Sequence, residues 1–139
     1  MEYDLQRFLN AQNQAYLTAL YEIKNGKKES HWIWFIFPQI QGLGQSENAQ
    51  FYIMKNLEEA EQYLAHPILG ENLIEITREL LLIEGKTALE VLGWPDNLKL
   101  QSSMTLFAKA SGNHPIFQQV LDRYFEGKMD MQTLKLIES

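Results

Sequence analysis

The sequence of 139 residues contains no cysteine. This absence excludes disulfide bonds, a cysteine nucleophile and thiolate metal ligands, and it is typical of a cytoplasmic protein. Long apolar runs are also missing, because the longest, residues 31–37, is far shorter than the roughly 20 apolar residues of a membrane span. The first residues lack the basic and apolar segments of a signal peptide. We therefore expect a cytoplasmic protein without a membrane partner.

Histidine is scarce as well, with only His31, His66 and His114 in the whole chain. No two of them lie three or four positions apart, and the metalloprotease pattern His-Glu-x-x-His is absent. His66 and His114 each precede a proline, which is typical of the start of a helix. The sequence therefore predicts no metal site and no cofactor.

Positive charge is in short supply, since 12 Lys and Arg oppose 18 Asp and Glu and give a formal charge of −6. This balance argues against broad nucleic-acid binding. The acidic excess lies entirely within residues 58–90, a pattern typical of solvated helix faces. In contrast, Lys24, Lys27 and Lys28 cluster just before the apolar run. The rest of the chain therefore leaves room for one small anionic metabolite as a partner.

Amphipathic helices account for most of the sequence. Apolar residues recur at helical spacing over residues 5–23, 69–83 and 116–124. Thr87 followed by Glu90 forms a capping box that predicts a further helix start. No linker rich in Pro, Gly or Ser divides the chain. These features predict a compact, multi-helical, all-α fold.

A short echo repeats within the chain. His66-Pro67-Ile68-Leu69 resembles His114-Pro115-Ile116-Phe117, and each opens a predicted helix that ends at a Gly-Lys pair. Two similar helical units would form a small helical superhelix. The alternative is that His-Pro is simply a favourable helix opening, since two copies do not define a repeat. In either case we predict one helical domain over residues 1–139.

Residues 31–37 hold four of the sixteen aromatic residues and two of the three tryptophans. Ser30 would cap a short helix here, although the same residues also suit a strand. So dense an aromatic run either builds the core or forms one wall of a ligand pocket. In the second case Trp32 or Trp34 would stack on a planar group, with Gln39 as a hydrogen-bonding neighbour.

The turn at residues 42–46 follows directly and leads into a predicted helix. Gly42 and Gly44 would allow a ligand to approach the backbone closely, and Ser46 stands where a helix N-terminus favours an anion. The turn lacks the spacing of a Walker A loop. Together with Lys28, these three residues are candidate anion ligands. The alternative is a plain turn before a serine cap.

Lys99, Ser102 and Ser103 share one face of a predicted helix that begins near Pro95. A lysine beside two hydroxyls could hold a phosphate or activate a serine nucleophile. His31 could act as an acid or base near neutral pH. We therefore take His31 and Ser103 as catalytic candidates, and Lys99 and Ser102 as ligand-binding candidates. The alternative is a helix contact with a surface lysine and a structural histidine.

Four stretches, at residues 28–44, 63–70, 95–107 and 130–134, resemble the bacterial domain-of-unknown-function family numbered 1810. The first of them, KESHWIWFIFPQIQGLG, is the most specific, and together they span nearly the whole chain. The resemblance implies a compact all-helical domain and no established activity. Members are often labelled calpastatin, but calpastatins proper are long disordered inhibitors.

Two functions follow from these observations. The first is a pocket for an aromatic-plus-anion ligand, such as a nucleotide or an ADP-ribose-like metabolite, with hydrolytic or transfer chemistry. It predicts that His31, Gln39, Lys99 and Ser103 converge in one concave site. The second is a protein-interaction module without catalytic activity, which predicts an exposed apolar patch. The sequence leaves open whether the protein is an enzyme, and it leaves its oligomeric state open too.

Overall fold

The computed structural model describes residues 3–138, and helices dominate that part of the chain. It contains no β-strand beyond one isolated bridge, between Ile40 and Met54. The predicted all-α fold is therefore confirmed. Within the described range no helix combines the length and the hydrophobicity that crossing a membrane requires. The helices are α1 Gln6–Lys24, α2 Ile33–Ile36, α3 Glu47–Phe51, α4 Leu57–Ala65, α5 Pro67–Leu82, α6 Ala88–Leu92, α7 Asp96–Ala110, α8 Pro115–Phe125 and α9 Met131–Glu138.

Helix α7 lies in the middle of the fold and packs against α4, α6, α8 and α9. Its side chains from Ser102 to Ala108 are all buried. A helix enclosed in this way shows no single apolar stripe, because every face meets another part of the protein. The first turn of α7 approaches α2, which brings residues 96–99 near the aromatic run.

The aromatic run at residues 31–37 forms the short helix α2 and its two flanks, so the helix is formed and the strand is not. Its large apolar side chains are buried in the core except Trp34, which is half-buried. Ser30 does not cap this helix. Trp32 occupies the N-cap position without a side-chain cap bond, and the Ser30 hydroxyl donates to Glu22 Oε2 at 2.5 Å.

The two His-Pro motifs form equivalent corners, one between α4 and α5 and one between α7 and α8. At the first corner the His66 Nδ1 atom accepts from the backbone N–H of Ile68 at 3.1 Å. At the second the His114 Nδ1 atom accepts from Ile116 N–H at 3.2 Å. The four helices pack in a ring, α4 on α5, α5 on α8, α8 on α7 and α7 on α4. His-Pro is thus a helix opening, and the two helix pairs form a closed cluster.

Helix α5 passes close to the end of α4 at Gly70. A Cβ atom at this position would lie 2.1 Å from the carbonyl oxygen of Leu64, which is closer than any real contact. Gly70→Ala should therefore lower the free energy of unfolding by about 2 kcal/mol, although alanine is the better helix former. Thermal unfolding should show a fall in Tm of roughly 6 °C.

Glu71→Ala is the matched control, because it changes an exposed residue of the same helix turn. It should leave Tm almost unchanged. An unchanged or higher Tm for Gly70→Ala would contradict the close contact between the two helices.

Candidate functional site

Four of the predicted ligand residues lie together around Asp96. The Lys28 Nζ atom is 2.7 Å from Asp96 Oδ2, and Lys99 Nζ is 3.5 Å from Asp96 Oδ1. Lys28 Nζ also lies 5.2 Å from the centre of the Trp32 ring, and Lys99 Nζ lies 5.1 Å from that of Trp34. The residue types chosen from the sequence therefore do meet. The carboxylate that joins them was missed.

The charged groups of this lysine–tryptophan cluster pair with one another. Asp96 forms an ion pair with each of the two ammonium groups, and the side chain of Lys28 is only 8% exposed. Trp32 is 1% exposed and donates its indole N–H to Glu22 Oε1 at 2.8 Å, so its ring is core rather than pocket wall. Trp34 keeps a buried indole N–H that has no hydrogen-bond partner among residues 3–138. The two lysines and the one carboxylate leave a formal charge of +1, and an anion at this cluster would share the lysines with Asp96.

The glycine turn at residues 42–46 packs against neighbouring side chains. The Ser46 Oγ atom accepts from Ala49 N–H at 3.1 Å and so caps α3, as the plain-turn alternative predicts. A Cβ atom on Gly44 would lie 2.4 Å from the Cβ atom of Ala49, and Gly42 lies against Leu136. These contacts account for both glycines and the serine without a ligand.

The predicted neighbours of the turn and the aromatic run lie at or near the surface. Gln39 is half-buried, and its backbone carbonyl accepts from Met54 N–H at 2.8 Å beside the isolated bridge. His31 is exposed.

The two serines of α7 have different surroundings. The Ser102 hydroxyl donates to Asp130 Oδ2 at 3.1 Å, and Asp130 in turn accepts from Thr133 N–H at the start of α9. Ser102 therefore stabilises a helix junction. Ser103 is fully buried, and its hydroxyl has no partner within the described residues. Ser103 is thus fully buried whereas His31 is exposed, so the two catalytic candidates have different surroundings.

A groove of about 850 Å³ opens elsewhere, between the two His-Pro corners. This volume is typical of sites for small organic ligands. None of the predicted site residues lines it. Both corner histidines do, together with apolar side chains that include Leu64 and Ile74 and the charged residues Glu61, Glu71, Glu75 and Arg78.

The corner histidines have a defined chemical state in this groove. His66 Nδ1 accepts from the N–H groups of Ile68 and Leu69, at 3.1 and 3.3 Å, and His114 Nδ1 accepts from Ile116 N–H. An accepting Nδ1 carries no proton, so the neutral ring holds its proton on Nε2. Each corner therefore presents one Nε2–H donor.

The carboxylate of Glu75, which lines the groove, is held in place by a hydrogen bond from a buried tyrosine. The Tyr16 hydroxyl donates to Glu75 Oε1 at 2.6 Å and also lies 3.0 Å from the carbonyl oxygen of Asn72. Burial of Tyr16 and its hydrogen bond to Glu75 raise the pKa of the phenol well above its usual range, so it keeps its proton. Glu75 is thus held in place by a neutral donor.

The buried amide of Gln12 holds Asn72, another residue that lines the groove. Asn72 Nδ2 donates to Gln12 Oε1 at 3.0 Å, and Gln12 Nε2 donates to the Tyr63 hydroxyl at 2.8 Å and to the carbonyl oxygen of Phe35 at 2.7 Å. Gln12 is only 5% exposed, so the network has little access to water. One groove residue is therefore tied to α1, α2 and α4 at once.

The sequence signal for this groove was the His-Pro echo together with the acidic stretch at residues 58–90. Neither pattern shows that the two corners face each other, because that contact depends on how α4, α5, α7 and α8 pack. The alternative function, protein interaction, predicts exposed apolar side chains. Trp94 is 74% exposed, and Leu98 one turn later is 49% exposed.

Comparison with known proteins gives one close structural relative. The crystal structure of the conserved hypothetical protein Rv1873 from Mycobacterium tuberculosis is 42% identical in sequence and has a TM-score of 0.96. The match covers 99% of this chain and 98% of that one. No curated protein matches. The family model DUF1810, described as a protein of unknown function, matches residues 2–137. The chain therefore belongs to the DUF1810 family, as its motifs indicated.

Proposed function

We propose that the protein binds a small organic ligand in the groove between the two His-Pro corners. The observation that carries this proposal is the convergence of His66, His114 and Glu75 on one cavity of about 850 Å³. A few placed polar groups over apolar side chains are what small-molecule sites usually contain. We propose binding and not hydrolysis, because Ser103, the serine expected to act as nucleophile, is fully buried and does not line this groove.

The rigidity of the groove supports the same proposal. His66 and His114 are held by the backbone of the helices that they cap. Glu75 and Asn72 are held by Tyr16 and by the Gln12 network behind them. Polar groups that are already fixed bind a ligand with less loss of side-chain entropy than mobile ones.

A ligand screen by thermal unfolding tests the proposal. The set contains amines, nucleotides, ADP-ribose, sugar phosphates and short peptides. A ligand at about 100 times its Kd should stabilise the fold by about 2.7 kcal/mol, a shift of roughly 8–10 °C. Ala65→Trp fills the groove from an exposed wall position and should abolish the shift.

Asn13→Trp is the matched control, since it places the same ring on an exposed position of α1 outside the groove. It should keep the full shift. A hit that stabilises both tryptophan variants equally would place the site elsewhere and contradict the proposal. So would a screen in which no compound stabilises the wild-type protein.

A second candidate is the aromatic-plus-anion ligand, nucleotide or ADP-ribose-like, at the lysine–tryptophan cluster. It is favoured by the meeting of Lys28, Trp34 and Lys99, and by the buried indole N–H of Trp34, which has no partner in the part of the chain that the structure describes. The same screen separates the two sites. An ADP-ribose shift that survives Ala65→Trp and is lost in Lys99→Gln would favour this cluster over the groove.

A further inference from the structure

We propose that the ligand of the groove is an organic cation, an amine or guanidinium on an apolar body, and that Glu75 is its counter-ion. This inference rests on the proposed function and names its ligand class. It begins with the geometry of one carboxylate. Glu75 Oε1 accepts from the Tyr16 hydroxyl at 2.6 Å, and Tyr16 is only 8% exposed. The buried phenol fixes the carboxylate and leaves Oε2 as an acceptor for a ligand.

The remaining charges of the groove favour the same sign of ligand. Glu61 and Glu71 line it beside Glu75, and Arg78 is the one basic side chain among its lining residues. Within residues 3–138 none of these four forms an ion pair shorter than 4.0 Å. The described residues therefore provide no ion-pair partner within 4.0 Å for these carboxylates. A bound cation would be attracted by three charges and repelled by one.

The groups that would favour an anion are already used. Two long helices begin at the groove, and the first N–H groups of a helix normally attract anions. Here those of Ile68 and Leu69 donate to His66, and that of Ile116 donates to His114. The imidazoles therefore shield the helix ends from a carboxylate or phosphate. The Nε2–H donor that remains on each neutral ring suits a neutral acceptor such as a hydroxyl or carbonyl oxygen.

Apolar side chains also line the groove. Leu64 and Ile74 are half-buried and line it, so an alkyl or aromatic body can be desolvated there. The combination selects against small hydrated metal ions, which need several oxygen ligands at once. Within residues 3–138 no set of three or more His, Asp or Glu side chains is grouped to hold a metal.

A series of three indoles tests the sign of the charge at nearly constant size. Tryptamine is a cation, tryptophol is neutral and indole-3-acetate is an anion. By calorimetric titration at low salt we expect tryptamine to bind at least 10-fold more tightly than tryptophol, and indole-3-acetate to bind most weakly. Raising the salt concentration should weaken tryptamine binding only, because salt screens charge.

Two variants assign the effect to Glu75. Glu75→Gln keeps an acceptor for Tyr16 and removes the charge, so tryptamine should lose about 10-fold in affinity while tryptophol changes less than 2-fold. Glu79→Gln is the control, because it removes a charge from the next turn of α5, outside the groove. It should alter both affinities less than 2-fold.

The outcomes separate the two proposals. The proposal of a cationic ligand would be overturned if the three indoles bound equally or if indole-3-acetate bound most tightly. If Ala65→Trp abolished that binding, the groove would still be a ligand site. Tryptamine binding that persists in Ala65→Trp would overturn both. If tryptamine, agmatine and spermidine all failed to bind the wild-type protein at millimolar concentration, the proposal of a cationic ligand would be overturned.

Discussion

Replacing Glu59 with glutamine should lower the free energy of unfolding by about 4 kcal/mol. Glu59 is fully buried, and its Oε2 atom lies 3.0 Å from Arg7 Nη2, whose side chain is 8% exposed. Its Oε1 atom accepts from Lys55 N–H at 2.7 Å, a bond that the glutamine oxygen can keep. The variant loses the negative charge. A buried guanidinium left without its counter-ion lowers the free energy of unfolding by roughly 3–5 kcal/mol.

Arg7 explains why this pair matters for the fold. Its guanidinium also donates to the carbonyl oxygens of Phe51 and Ile53, at 2.9 and 2.6 Å. It therefore joins α1 to the end of α3, to the segment after α3 and to α4. Urea unfolding should show a lower midpoint for Glu59→Gln with an unchanged slope. The double variant Arg7→Met, Glu59→Met should recover much of the loss, because it buries no charge.

The exposed pair of Lys128 and Glu126, 3.5 Å apart, provides the control. Lys128→Met should cost less than about 1 kcal/mol, because water and salt screen an exposed pair. If Glu59→Gln and Lys128→Met had equal effects, burial would not be what makes the first pair important.

Local signals in the sequence predicted most helix boundaries. The capping box at Thr87 is present, with Oγ1 accepting from Glu90 N–H at 3.1 Å, and Ser46 caps α3. These bonds form between residues three apart, so a short stretch of sequence contains all that they need. Ser30 shows the limit. Its hydroxyl does not cap α2 and instead donates to Glu22 on α1, a contact that depends on the tertiary packing.

The candidate site shows the same division. Lys28 and Trp32 lie in one short stretch before α2, and both were predicted as ligand residues from the sequence. Lys99 reaches Trp34 only because α7 packs on α2, and the role of Asp96 follows from that packing. The groove depends wholly on packing between distant helices. The echo of the His-Pro motifs was visible, but its meaning required the positions of both corners.

Glu22→Gln should lower the free energy of unfolding by about 3 kcal/mol at pH 7 and should flatten its dependence on pH below 5. Burial alone would raise the pKa of Glu22. The hydrogen bonds from the Ser30 hydroxyl and from the N–H groups of Glu29, Trp32 and Ser30 outweigh burial and lower this pKa to about 2. These donors lie 2.5 to 2.9 Å from the carboxylate, and they fix residues 29–32 against α1.

The direction of the pH effect follows from the lowered pKa. The unfolded chain takes up this proton near pH 4.5, and the folded protein does so only near pH 2. The stabilisation by Glu22 is therefore complete above pH 4.5 and is lost as the pH falls toward 2. Each unit of difference is about 1.4 kcal/mol. Urea midpoints at pH 7, 4 and 3 should fall steeply for the wild type and less for Glu22→Gln.

Glu29→Gln is the matched control, because it changes a neighbouring exposed carboxylate and keeps the backbone N–H that Glu22 uses. It should follow the wild-type curve. Parallel curves for Glu22→Gln and the wild type would mean that another acid carries the effect. The result also bears on the lysine–tryptophan cluster, since Trp32 is held by Glu22 on its N–H and contacts Lys28 on its ring. Loss of Glu22 should therefore change the tryptophan fluorescence of the folded protein, which Glu29→Gln should leave unchanged.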